Sequence, residues 1–457
     1  MANRYWVGGA GTWDASSTTH WSTSSGGASG ASVPTSADSV FFDQAGTYTV
    51  TLGTSANLYL LNWTVSAGTV TFVGTPYGLY LYGSISLIAG TVCTFTTSNM
   101  ILYGAAKTIQ TNGTTFPNTG FNIRTPSATN STTTLLDALT CTTMIIAVNG
   151  STHTFVLNGY TVTLTSSTSS ALVINSSVTI NFGTGGSFVF SNGGGVTASS
   201  STGSITTSGT GTLQFNGSSN FIVLKNRIFP GVTVSKGGTG SINIYDSNTF
   251  DTIQNTAQPV TFNFLAGTVT TVTNFNINGT SGNLVTLKSA IAGSQFTISK
   301  PSGTVTANYL SIKDSAATGG AVWIADFSTD AGNNSGWIIN AGGSQFVSVN
   351  NTGLDMTGAV GDVTIASDQT ILPNNIGILG YCFRPNALSY SIFIGTAGTV
   401  GPLGVAGTGR IGLYDLRYDN NFTVTGVSGT GVVSNTPLNI WISVNTNQTA
   451  DWTPIAT

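Results

Sequence analysis

Glutamate is missing from this 457-residue chain; all fifteen of its acidic residues are aspartate. Charged residues make up only 6% of the sequence, against roughly a quarter in an average soluble protein. The straight-chain helix formers Glu, Lys, Arg and Met are scarce, so almost no α-helix is expected. The six Lys and six Arg are scattered singly and the net charge is −3. No basic patch can displace counterions from phosphates, which argues against nucleic acid and against an anionic membrane surface as partners. No apolar run reaches the ~18 to 20 residues of a spanning helix. The apolar stretches are also broken by Gly or Asn-Gly too often for the ten-residue strands of a membrane barrel. The opening MANRYWVGGAGTWD lacks an apolar h-region, so no secretory signal is expected.

Cysteine and histidine are equally sparse. Cys93, Cys141 and Cys382 form no CxxC and cannot all pair. Cys93, at an alternating position in TVCTF, reads as a small buried hydrophobe. His20 and His153 complete no zinc set of normal spacing, and each reads as a surface or turn residue. No metal and no cofactor is expected. Neither a GxSxG with triad partners nor the calcium loop pattern D-x-[DN]-x-[DN]-G is present. The Gly-rich stretches GGAGTWD and GTGTLQ open no helix and so cannot cradle phosphate.

What abounds is Thr, Ser, Val, Ile, Asn and 58 Gly, with 40% hydrophobic residues. β-Branched side chains fit a pleated surface, while Gly and Asn accept the tight turns between strands. The pattern repeats. LYLLN at Leu58, LYLYG at Leu79, MILYG at Met100 and FNIRT at Phe121 start 21 residues apart. AGTVTF at Ala67 is echoed by AGTVCTF at Ala89, a spacing of 22. That is one coil of a parallel β-helix, which buries its apolar face only by stacking on the next coil. Later segments such as TFVLNGYTVTL (154–164) and PVTFNFLAG (259–267) keep the vocabulary with a looser spacing, as corner insertions allow. The low-complexity stretch 191–210 reads as small-residue coils or a loop.

The expected architecture is all-β: a right-handed parallel β-helix over 58–340, an N-terminal cap over 1–57, and a C-terminal jelly-roll-like β-sandwich over 343–457. In the first segment Trp6, Trp13 and Trp21 suit a cap over the exposed end of a solenoid, with sugar stacking on the Trp faces as the alternative. Beyond Trp337 the repeat vocabulary stops. Arg384, Arg410 and Arg417 supply half of all Arg there, and strands such as LNIWISVN (438–445) alternate. Continuation of the coil is the alternative in that region.

Paired aspartates are the remaining chemistry. Solenoids can cut polysaccharides with two carboxylates on one face, one protonating the leaving oxygen and one activating water or attacking. Asp246 with Asp251, and Asp314 with Asp326 and Asp330, are the candidate sets. Aspartates at coil corners explain both sets without chemistry, by bonding turn amides. No residue is assigned as catalytic, and the chain is read as a non-enzyme.

NFNINGTSGNLVTLKSA (274–290) and SGTVTANYLSIKDSAATGGAVWIADFSTDAGNNSGW (302–337) resemble the closing coils of β-strand-repeat proteins found in tailed-phage structural genes and some bacterial surface proteins. RYWVGGAGTWDASSTTHWSTSSGGASGASVPTSADSVFFD (4–43) resembles the opening motif of the same group. Together the motifs bracket about 335 residues. The resemblance implies a virion protein assembled in the host cytoplasm, either a tail fibre or tailspike or a head decoration. Other virion proteins, further copies of the chain (a trimer among the options) and host-surface polysaccharide would be its partners. A polysaccharide depolymerase and a bacterial adhesin are the alternatives. The resemblance also implies that Asp326 and Asp330 bond turn amides and that Trp337 seals the stack.

Overall fold

A computed structural model describes residues 2–341, apart from 55, 125–129, 148–150, 169, 176 and 202, together with 347–348 and 354–355. It divides the chain into two compact units, Met1–Ala341 and Gly342–Thr457. The first unit is a parallel β-solenoid with no helix among the described residues. In the second, Val347–Ser348 pairs antiparallel with Leu354–Asp355. The sandwich expected over 343–457 otherwise lies outside the described residues.

Three ladders of short strands run along the solenoid. The most regular is a thirteen-stranded sheet, from Asn57–Leu60 at one edge to Thr329–Asp330 at the other. Its strands are short and its pairings parallel, because each coil returns to the same face in the same direction. Apolar residues at alternate positions point inward, and in-register partners stack. Leu58, Leu79, Met100, Phe121, Met144, Leu172 and Val196 form one such buried column. Its first four members are the starts of the 21-residue repeat.

The second echo slips by one residue. Cys93 pairs with Phe72, and Val92 with Thr71, so the true spacing is 21 rather than 22. The Ala-Gly corner sits one place later relative to the strand in the later coil, four residues before Cys93 rather than five before Phe72. A one-residue slip exchanges faces. Cys93 is therefore buried where Phe72 is buried, and Val92 lies exposed.

The ladders extend into the first 57 residues. Ala2–Trp6 pairs parallel with Asp38–Phe42, and Gly11–Trp13 with Thr47–Leu52. The strand Trp21–Ser22 runs antiparallel along the outer edge of Ala2–Trp6. Trp6, Trp13 and Trp21 are fully buried and pack edge to face at 5.2 and 5.3 Å. Their faces meet one another and Phe42, which takes them out of reach of a stacking sugar. The aromatic column continues inward through Phe72, Trp63, Phe95, Phe116 and Phe121.

One corner is made of glycine. Val178–Phe190, Ile205–Phe215 and Ile228–Lys236 each bend around a corner in a single strand. Gly183, Gly209 and Gly231 lie at those bends with φ of +69°, +76° and +71°. Successive coils touch backbone to backbone there. A Cβ on Gly209 would lie 2.2 Å from the Gly183 carbonyl oxygen, and one on Gly231 2.5 Å from that of Gly209.

Candidate functional site

The closing coils answer what Asp314, Asp326 and Asp330 do. Asp314 follows the strand Leu310–Lys313 in a left-handed conformation, φ +54°. Its buried carboxylate accepts from the Gly293 amide at 3.1 Å and from the Asn333 side-chain amide at 2.7 Å. The Asn333 bond holds the carboxyl below the usual range against the opposing effect of desolvation, with help from Gly293. Asp326, also buried, accepts from the Asn340 side chain at 2.8 Å, a side-chain amide rather than the expected turn amide. Asp330 is exposed and does accept a turn amide, from Gly332 at 2.9 Å, along with the Asn334 side chain at 2.6 Å. Asp314 and Asp326 tie one coil to the next, while Asp330 closes its own turn. Trp337 packs on Trp323 and Phe275 at 5.0 and 5.9 Å and donates from its indole to the Ser315 hydroxyl.

Buried carboxylates lose more than exposed ones when their partners are stranded. Asp314→Ala is therefore expected to lower the melting temperature more than Asp330→Ala, since the Gly293 amide and Asn333 would both lose an acceptor. Thermal melts of the two variants decide; no shift for Asp314→Ala would remove its corner role.

The other pair behaves likewise. Asp246, at φ +68°, accepts from the Lys225 amide of the preceding coil at 2.9 Å. Asp251, in the strand Thr249–Asn255, accepts from the neighbouring Thr252 hydroxyl. Among the described residues no three His, Cys or Asp come together as a metal site.

The two histidines differ. His20 lies in a turn, stacks on Trp6 at 4.6 Å, and bonds the Val7 carbonyl through Nδ1. His153 departs from the surface or turn placement expected of it. It is fully buried in the strand His153–Val156, because its position alternates inward with Phe155. Its Nδ1 and the Ser131 hydroxyl share a 2.6 Å hydrogen bond, while Nε2 has no partner among the described residues. Burial, and then the nearby Lys107 charge, pull its pKa down to about 3. Lys107 is itself buried, donates to the Gly104 carbonyl at 2.7 Å, and is pulled down to about 8 by desolvation. Lys236 is buried too, but four backbone carbonyls surround its ammonium, those of Gly217 and Gly238 at 2.7 and 2.6 Å. Cys93 and Cys141 are free and buried, and desolvation raises both thiols, that of Cys141 to about 12. A thiol so raised is a hydrophobe rather than a nucleophile.

The outer surface carries a feature that the repeat held in plain view. Tyr59 and Tyr80 are in-register partners pointing outward from the thirteen-stranded sheet, stacked at 5.0 Å. Tyr80 and Tyr82 each stack on Tyr103, at 6.4 and 5.3 Å, and all these rings lie within 23° of parallel. Desolvation raises the pKa of Tyr80 and Tyr82, so both stay neutral at physiological pH. Beside Tyr59 an open cleft of about 450 Å³ is bounded by Asp14, Pro34, Ser36, Asn57 and Tyr82. The Asp14 carboxylate is held below its usual range by the Ser17 and Ser16 amides. The tyrosines of LYLLN and LYLYG share the 21-residue spacing of the leucines, which is the signal that could have marked this surface.

No protein-family model, no curated protein and no solved structure matches the chain.

Proposed function

We propose that the chain is a non-enzymatic structural protein of a virus particle, a tail fibre, spike or head decoration, that helps attach the particle to host-surface glycans. The observation that carries this reading is the solenoid itself. Its parallel coils stack from Ala2 to Asn340, and the aspartates of both candidate sets serve as hydrogen-bond acceptors at or beside the corners. Such a stack is stiff, and its backbone groups are paired between coils. The resemblance of 4–43 and 302–337 to the opening and closing motifs of phage β-strand-repeat proteins supports the location. In this reading the coil is right-handed, as crossovers between parallel strands usually are. The buried Trp6, Trp13 and Trp21, with the antiparallel strand Trp21–Ser22, serve as its cap. Residues 343–457 form a β-sandwich that docks or binds a receptor, and the assembled appendage is a homo-oligomer.

Gold-labelled antibodies against residues 343–457, viewed on phage particles by electron microscopy, test it. Label at the tail tip supports a receptor-binding fibre, and label over the head supports a decoration. Absence of label from every particle would overturn the virion reading and favour an adhesin on the bacterial surface.

A further inference from the structure

The tyrosine stack ends abruptly, and its end is open. Asn57–Leu60 is the edge strand of the thirteen-stranded sheet. No earlier strand on that face supplies a ring above Tyr59, although Tyr80 covers the side below. Tyr59 is 37% exposed and borders the cleft, so the next position in the stack is the cleft itself. Hydrogen-bonding groups surround that position. Asn57 lines it as well, with its Oδ1 buried beside Gly78. Ser36 and Asp14, whose carboxyl is held below its usual range, line it too.

We propose that this cleft binds a sugar ring of a neutral polysaccharide, seated on Tyr59 as the next member of the aromatic stack. The proposal rests on the glycan-attachment reading above and gives it a site. A pyranose offers a C–H face to the aromatic ring and hydroxyls around its edge to Ser36 and Asp14. Pockets of this kind combine an apolar platform with a few convergent polar groups. Charge selects against other ligands. The wall contributes a carboxylate and no cation, which disfavours phosphates, acidic sugars and nucleic acid. Further along, Tyr80 and Tyr82 of one coil meet Tyr103 of the next at 6.4 and 5.3 Å. This run of rings suits a polymer, whose adjoining sugars would lie across the phenol edges.

Affinity electrophoresis of the full chain through gels containing dextran, mannan, galactan or starch tests the site. The wild-type chain is expected to be retarded by at least one of them. Tyr59→Ala should weaken that retardation about tenfold, the loss of one aromatic contact. Tyr59→Phe, which keeps the ring, should retain most of it. Unchanged melting temperatures for both variants show that the fold persists. Equal retardation of wild type and Tyr59→Ala would overturn this site and leave glycan attachment standing elsewhere on the chain. Retardation by none of the four polysaccharides would overturn the neutral-glycan assignment, while particle labelling would still decide the virion reading.

Discussion

Alanine at Gly209 is expected to cost about 3 kcal/mol or more, a large loss for a single methyl group. Two penalties combine. An L-residue at φ +76° pays roughly 1 to 2 kcal/mol for the left-handed conformation. The added Cβ also meets the Gly183 carbonyl oxygen at 2.2 Å, and that atom is backbone in a hydrogen-bonded ladder. It can move only if the neighbouring coil moves, and packed interiors resist such shifts. Gly185 is the matched control. It has φ +80° in the same corner region but nothing within 4 Å of a Cβ. Gly185→Ala should cost about 1 kcal/mol, the conformational part alone. Urea unfolding of both variants separates the two contributions. Similar losses would mean that the glycine corner yields to a methyl group and that coil-to-coil contact there is loose.

Acid should destabilise the solenoid before any aspartate titrates. His153 is neutral in the fold, with a pKa near 3, but gains a proton near 6.5 once unfolded. Between those values the unfolded chain binds one proton more than the folded one, so stability falls as pH falls. From pH 7.5 to pH 4 the loss should reach about 3 kcal/mol. Asp14 and Asp314, whose carboxyls are depressed, add their losses only below about pH 4. That leaves the higher window to the imidazole. Denaturation of wild type and His153→Gln at several pH values between 7.5 and 4 checks this. The variant should show a much shallower slope, whatever its stability at neutral pH. Parallel slopes would mean that the folded chain protonates His153 as readily as the unfolded one.

The legible parts of the fold were those in which one coil repeats another. Leu58, Leu79, Met100 and Phe121 were aligned from sequence and are register partners in the sheet. Local repetition carries long-range pairing here, because a strand's partner is the same strand one coil later. The Cys93 slip shows where that fails. Corner residues and strand residues can shift independently, and only the strand register decides which side chain faces inward. His153 and Lys107 were illegible for another reason. Polar residues at inward positions break the binary pattern; the His153 partner, Ser131, lies one coil away, and no local motif announces that Lys107 turns inward to the Gly104 carbonyl three residues before it. The corner roles of Asp314 and Asp330 followed from turn chemistry, whereas the Asp326 partner, Asn340, lies one coil further on and could not be read from a local motif. The tyrosine surface was present in the quoted repeat. The alternation that turns the leucines inward also gives Tyr59 and Tyr80 a common outward column.

A stack built this way measures distance by counting. Thirteen strands leave twelve intervals, about 58 Å along the thirteen-stranded sheet at the usual strand spacing. Duplicating one register period, such as 79–99, would lengthen the body by a single increment of ~4.8 Å and leave every column in phase. An insertion of one residue within a strand would instead turn its leucines to solvent. Length in this molecule is therefore inheritable in whole units, so a gene of this kind can reset a spacer's reach by copying one coil without redesigning its cross-section.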